Sequence, residues 1–194
     1  MVLQQLAAGK PGPDIGPLLW IRGSMTTHED DTTCRLRPFR FDDLPQLVRL
    51  DRRCFSPDIA YDRFEMVYHL TAPRHTCLLA VPTNDSTPSL LGFVIVAVGK
   101  ASREGQIVTI DVDPDARRRG IGRLLLQAAE QLLAGHRNRS VRLQVAEDNA
   151  GAQRFYEEMG YQQAGRHIDY YPDGTNAIEM VKKLSAPENR RSAE

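Results

Sequence analysis

The stretch 111–132, DVDPDARRRGIGRLLLQAAEQL, constrains this chain more than any other. A β-branched run ends near Val112, and a helix follows whose apolar positions Leu125, Ala128, Ala129 and Leu132 recur at helical spacing. Between them lies a loop carrying Arg117, Arg118, Arg119, Gly120, Ile121 and Gly122. Strand, loop and helix in that order leave bare N–H groups and the positive end of the helix dipole at the loop. A charge run is more often a solvated face than a site, but two glycines that admit a phosphate to the backbone, beside fork-shaped guanidinium donors, favour a pyrophosphate guest. The spacing is neither G-x-x-x-x-G-K-[ST] nor G-x-G-x-x-G, so the usual ATP and dinucleotide cradles lack their defining residues.

The basic site has to be local, because net charge is zero over the whole chain and supplies no general attraction to nucleic acid or acidic lipid. No basic or aromatic stripe neighbours residues 117–119, which argues against DNA or RNA binding. With 194 residues and 41% hydrophobic content, one core and one domain are expected. We place that domain at 33–184, with flexible tails at 1–32 and 185–194 that lack helical or strand period. Lys10 and scattered Pro and Gly interrupt any signal-peptide core, Met25 is an alternative start to Met1, and no run is long enough to span a membrane. Cys34, Cys54 and Cys77 form no C-x-x-C and suit a reducing cytoplasm, and the five histidines show no ligand spacing, so no metal is expected.

Between the tails the pattern reads β-α-α-β-β-β-α-β-α-β-β. CRLRPF, TCLLAV, LLGFVIVAVG, QIVTIDV, SVRLQV and AIEMVKKL read as strands, and DDLPQLVRLDRRCF, with Asp42 or Asp43 as cap, and DRFEMVYHL as helices. The segment NAGAQRFYEEMGY starts at a capping Asn149 and stops at Gly160. The expected fold is a single α/β domain with a mixed, mostly antiparallel central sheet flanked by helices.

The hexapeptide 117–122 resembles the R/Q-x-x-G-x-G/A signature of the GNAT superfamily of acetyl-CoA-dependent N-acetyltransferases. The downstream LQVAEDNAGAQRFYEEMGY is similar to that family's second cofactor element. IDYYPDGTNAIEM resembles the double-tyrosine hairpin of N-terminal protein acetyltransferases, above all the ribosomal-protein-alanine group. The likeness covers roughly residues 33–184.

The resemblance implies that acetyl-CoA lies in a splay between the fourth and fifth strands. The backbone of Ile110, Asp111 and Val112 would line the thioester and pantetheine, with an N–H at Val112 on the acetyl oxygen. Residues Arg118 to Arg123 would wrap the pyrophosphate, and Asn149 would touch the pantetheine. Tyr156 sits where the family places a general acid for the departing thiolate; its rival role is a core aromatic beside Phe155. The loop holding Phe55, Ile59 and Tyr61 would receive the first side chain of a peptide, although Phe55 and Tyr61 could instead seal a helix corner. Tyr170 and Tyr171 would close from the other side. If they lie on a strand, neighbours point to opposite faces and one of them must meet solvent or ligand.

One position departs from the resemblance. Where the ribosomal-protein-alanine acetyltransferases carry a glutamate base, this chain has Gln144, and a second position used for amine activation in some relatives is Gln106. Neither amide accepts a proton, which leaves a water held by Gln144, or a carboxylate such as Asp111 or Glu147. An α-amine of pKa ~7.8 is already about one-quarter neutral at pH ~7.4, whereas a lysine near ~10.4 is neutral about one time in a thousand. A protein or peptide N-terminus is therefore the expected acceptor. A small-molecule amine, and a catalytically weak acetyl-CoA sensor, stand as alternatives, with the protein a monomer or homodimer.

Overall fold

The structure, a computed structural model, describes residues 34–83 and 89–185. The expected tails at 1–32 and 185–194 lie outside the described residues, apart from Ser185. Strands β1 (Cys34–Pro38), β2 (His75–Pro82), β3 (Gly92–Ala97), β4 (Glu104–Val112), β5 (Ser140–Ala146), β6 (Gln162–His167) and β7 (Ala177–Lys183) alternate with helices α1 (Leu44–Cys54), α2 (Arg63–Thr71), α3 (Ile121–Gly135) and α4 (Ala150–Glu158). The element order is the one expected from the periodicities.

The seven strands form one sheet in the order β1-β2-β3-β4-β5-β7-β6. Among them β4 and β5 are the parallel pair, joined through the α3 crossover, and the other neighbours are antiparallel. The mixed, mostly antiparallel sheet is thus as read from the sequence. One face carries α3 and α4 over a core of Leu78, Val94, Ile107, Leu125, Leu133 and Leu143. The opposite face carries α1 and α2 over Leu47, Leu50, Met66, Leu79, Phe93 and Ile95, residues that reach only as far as β2 and β3 and the edge of β4.

Two local devices set up the site. Ile95 pairs with Thr109 but Val96 pairs with Ile107, so Val108 is an extra residue in β4. Such a bulge inverts the side-chain alternation. Ile107 faces α3, Val108 faces α1 and α2, and Ile110 and Val112 return to the α3 side. Thr109 and Asp111 are thereby turned toward the α1 side. The second device is the short β4–β5 pairing, Glu104↔Ser140 to Gln106↔Arg142. Beyond Gln106, β4 stays with β3 up to Val112↔Gly92, while β5 follows β7 to Ala146↔Ala177, and the two strands part.

The helix ends differ from expectation in one respect. Neither Asp42 nor Asp43 caps α1 with its side chain. Asp43 is taken by Arg37, whose guanidinium makes two 2.7 Å bonds to it, and by the Arg40 N–H at 2.8 Å. A forked, charge-assisted pair outcompetes a single cap bond. Asp62 and Glu65 cap α2 reciprocally, Asn149 Oδ1 accepts from the Ala152 N–H at the start of α4, and Gly160 at φ 89° lets the chain leave α4 in the left-handed region.

Candidate active site

The parting of β4 from β5 leaves backbone groups without a strand partner. The Asp111 carbonyl points at β3, since a Cβ on Gly92 would stand 2.6 Å from it. Amide groups alternate sides along a strand, so Ile110 and Val112 turn theirs into the gap. The Val112 carbonyl there accepts from Arg117 Nε at 3.2 Å and from the Cys54 thiol at 3.4 Å. The Cys54 thiol is pushed up to about 11 by burial and, next, by the charge of Asp111.

At the mouth of the gap the chain turns through a 3-10 segment, Pro114–Ala116, pinned from α1 by Arg53 on Asp113 at 2.6 Å and Asp115 at 2.8 Å. Arg118 at φ 62° and Gly120 at φ 77° then bring the backbone round into α3, whose N-terminus has no side-chain cap. Arg117, Arg118, Arg119, Gly120 and Arg123 are exposed around it, while Ile121 is buried and anchors the helix. Gly122 faces Phe155 of α4 and Val112 of β4; a Cβ there would meet both at 3.6 Å. A bare helix N-terminus, a glycine turn and exposed guanidinium groups at the end of a strand gap fit a pyrophosphate with an extended arm running into the gap.

Tyr156, on α4, is buried in the larger core, its ring 5.7 Å from that of Tyr161 and 5.3 Å from Phe155. Burial pushes its phenol well above the usual tyrosine range, and the charges of Asp111 and Tyr171 add to this. Such a group stays protonated. Asn149 is exposed at the far rim, its side-chain oxygen occupied by the helix cap.

On the α1 side two loops approach each other. Phe55, Ile59 and Tyr61 are half-buried in the α1–α2 loop. The Tyr61 ring lies tilted against that of His69 at 4.9 Å, and its phenol is raised by burial, then by the charges of Asp51 and Tyr170. Tyr170 and Tyr171 lie in the β6–β7 loop and not on a strand, so the expectation that strand pleat divides them fails. Their rings meet edge to face at 5.1 Å. Tyr170 is the more exposed, and burial pushes the Tyr171 phenol up to about 12.

The three groups left as bases are in very different states. Glu147 is exposed, held by Arg166 at 2.6 Å and Asn176 at 2.8 Å, and its carboxyl is kept below the usual range by those bonds. Asp111 is 1% exposed and accepts from the Thr109 hydroxyl at 2.7 Å. Its neighbour, missed in the sequence, is Asp51 of α1, also 1% exposed, whose Oδ2 accepts from the Tyr61 N–H at 2.7 Å. Asp51 Oδ1 and Asp111 Oδ2 are both buried without a hydrogen-bond donor, and each carboxyl is close enough to perturb the other. Burial and the like charge of its neighbour favour the protonated form of Asp111. Gln144, by contrast, is a link in a chain: its Oε1 accepts from Gln106 Nε2 at 3.1 Å, and its Nε2 donates to Glu179 at 3.2 Å.

The buried pair carries a stability prediction. Desolvation pushes Asp51 up to about 6 and Asp111 well above the carboxylate range. Between an unfolded pKa of ~3.9 and a folded value near 6 the native state holds more protons, so this pair stabilises less as pH rises through that window. Asp51→Asn keeps an acceptor for Tyr61 and gives Asp111 a donor. Relative to wild type the variant is expected to gain about 2 kcal/mol between pH ~4 and pH ~7.5 in urea unfolding. A difference that does not change with pH would refute the protonated carboxyl.

Known proteins match this arrangement. An N-alpha-acetyltransferase of Saccharolobus solfataricus is 27% identical over 160 residues, covering 77% of this chain and 92% of that protein. The N-alpha-acetyltransferase RimI of Mycobacterium tuberculosis is 34% identical over 117 residues, covering 56% and 72%. The crystal structure of the ribosomal-protein-S18-alanine N-acetyltransferase from Escherichia coli is similar with a TM-score of 0.69 at 25% identity, covering 82% of this chain and 99% of that one. Residues 44–161, which hold the parted strands, the glycine turn and α4, match the acetyltransferase (GNAT) family, and the chain belongs to it.

Proposed function

We propose that this N-acetyltransferase transfers the acetyl group of acetyl-CoA to the N-terminal α-amine of a protein or peptide, within a complex of all three. Bound acetyl-CoA supplies an activated thioester. The observation that carries the acceptor assignment is that the sheet face beyond β4 is left open by α1 and α2, with the Tyr170 and Tyr171 rings edge to face at 5.1 Å beside His167, where an extended chain end can enter. The names of the relatives from Saccharolobus and Mycobacterium support the same acceptor.

In this reading Arg118 to Arg123 hold the pyrophosphate, and Ile110 to Val112 line the arm. The Val112 N–H donates to the acetyl oxygen as negative charge develops there, a donor pre-placed by the strand and needing no reorganisation. Asn149 borders the arm, and Tyr156 gives its proton to the leaving sulfur. Phe55, Ile59 and Tyr61 receive the first side chain, while Tyr170 and Tyr171 hold the peptide backbone. Cys34, Cys54 and Cys77 are free thiols, in keeping with a cytoplasmic setting. No described helix is long and apolar enough to cross a membrane.

The test is acetyl transfer to short peptides with free and with blocked N-termini, each carrying an internal lysine. Free peptides are expected to gain one acetyl group at the α-amine and blocked peptides none. Acetylation of lysine in blocked peptides, or turnover confined to small amines, would overturn the acceptor assignment.

A further inference from the structure

Four strands lay polar side chains in one row on the sheet face opposite α3. Gln106 of β4 donates to Gln144 of β5, Gln144 donates to Glu179 of β7, and Glu179 Oε2 lies 3.1 Å from His167 Nε2 of β6. Register makes the row: Gln144 stands directly opposite Glu179, and His167 opposite Ala177, two residues before it. The α1 and α2 core stops at β4, so this part of the face stays open. The side chain of Glu179 is 21% exposed and that of His167 44%. The His167 ring also lies 5.6 Å from that of Tyr170, in the β6–β7 loop.

We propose that Glu179 and His167 together form the proton acceptor for the incoming amine, the carboxylate having moved one strand over from the position held by Gln144. This rests on the acetyl-transfer reading above. Gln144 cannot take the proton, but with its oxygen engaged by Gln106 its N–H donors are aimed at Glu179 and fix that carboxylate. The competing carboxylates are committed elsewhere, Glu147 to Arg166 and Asn176, and Asp111 to Asp51 and Thr109. The other charged groups on this face of β4, β5 and β7 are Glu104, Arg142, Lys183 and the buried Asp111, and Glu104 and Arg142 pair with each other at 3.3 Å.

One N–H bond of the protonated amine breaks, and its electron pair stays on nitrogen and forms the C–N bond as the carbonyl π pair moves onto the acetyl oxygen. Return of that pair breaks the C–S bond, the sulfur leaves with the Tyr156 proton, and the second proton shed by nitrogen replaces the one Tyr156 gave. The first proton passes, directly or through one water, to the carboxylate–imidazole pair, which goes from a net charge of −1 to a neutral carboxylate–imidazolium pair. Exposed His167 then returns the proton to solvent.

The test uses the full chain with acetyl-CoA and a peptide bearing a free N-terminus. Glu179→Gln is expected to lower kcat/KM about 100-fold at pH ~6.5, and less at pH ~9, where an α-amine of pKa ~7.8 is already neutral. The exchange Gln144→Glu with Glu179→Gln restores a carboxylate to the row and is expected to recover at least about tenfold of that loss. Imidazole nitrogen NMR gives a readout apart from turnover, in which the His167 Nε2 resonance shifts in Glu179→Gln as its partner changes from a charged carboxylate to a neutral amide. Wild-type kcat/KM in Glu179→Gln, or a folded exchange variant no better than Glu179→Gln alone, overturns the proposal while the acetyl-transfer reading stands. A wild-type protein that acetylates no amine removes both, and is seen before any variant is made.

Discussion

Gly122→Glu is expected to weaken acetyl-CoA binding at least about 100-fold, or ~2.7 kcal/mol, while leaving the protein as stable as wild type or more so. The two effects have opposite origins. A Cβ at Gly122 would make ordinary contacts at 3.6 Å with Phe155 and Val112, so the fold accommodates it. A carboxylate in the first turn of α3 interacts favourably with the helix dipole, and glutamate is a better helix former than glycine. The same carboxylate would stand among the N–H groups that we assign to the pyrophosphate and repel it. Gly120→Glu would lose affinity too, but at φ 77° it strains the backbone and confounds the reading. Calorimetric titration with acetyl-CoA, alongside thermal melting, checks this. An unchanged Kd in the folded Gly122 variant would remove the phosphate cradle from residues 118–123.

The second large effect is expected at Tyr156. Removing its hydroxyl in Tyr156→Phe should lower the single-turnover rate by about 10²- to 10⁴-fold, the range for loss of a general acid, with the acetyl-CoA Kd near wild type. The ring is buried against Phe155 and Tyr161, so phenylalanine refills its place. Burial keeps the phenol protonated across the working pH range. The proton is therefore present to be given when a thiolate forms beside it. If single-turnover rates match in wild type and variant, Tyr156 is a core aromatic and nothing more, and the leaving sulfur takes its proton from solvent.

Much of this was legible in local sequence. The order of eleven strands and helices followed from apolar period, because each element buries one face and its own spacing records which. The glycine turn was equally readable, since φ 77° at Gly120 and the uncapped start of α3 are local consequences of the residues present. Asn149 and Gly160 announced both ends of α4 for the same reason. Asp43 did not behave so simply. Its preference for a cap lost to Arg37, which belongs to another element.

What decided the chemistry of the site was not local. QIVTIDV reads as a plain alternation, yet the bulge at Val108 turns Asp111 inward to meet Asp51, 60 positions away in number and on a different helix. No period within β4 reports that meeting. Glu179 looks like one polar residue in a final strand until register sets it opposite Gln144 and beside His167. Tyr170 and Tyr171 lie in the β6–β7 loop, where no pleat sends neighbours to opposite faces, and their rings meet edge to face. Local sequence therefore determined the elements, the glycine turn and the faces they bury. Tertiary structure alone decided which polar groups share a space: strand register and bulges are settled by packing across the whole sheet, where moving one residue flips every side chain to the other face.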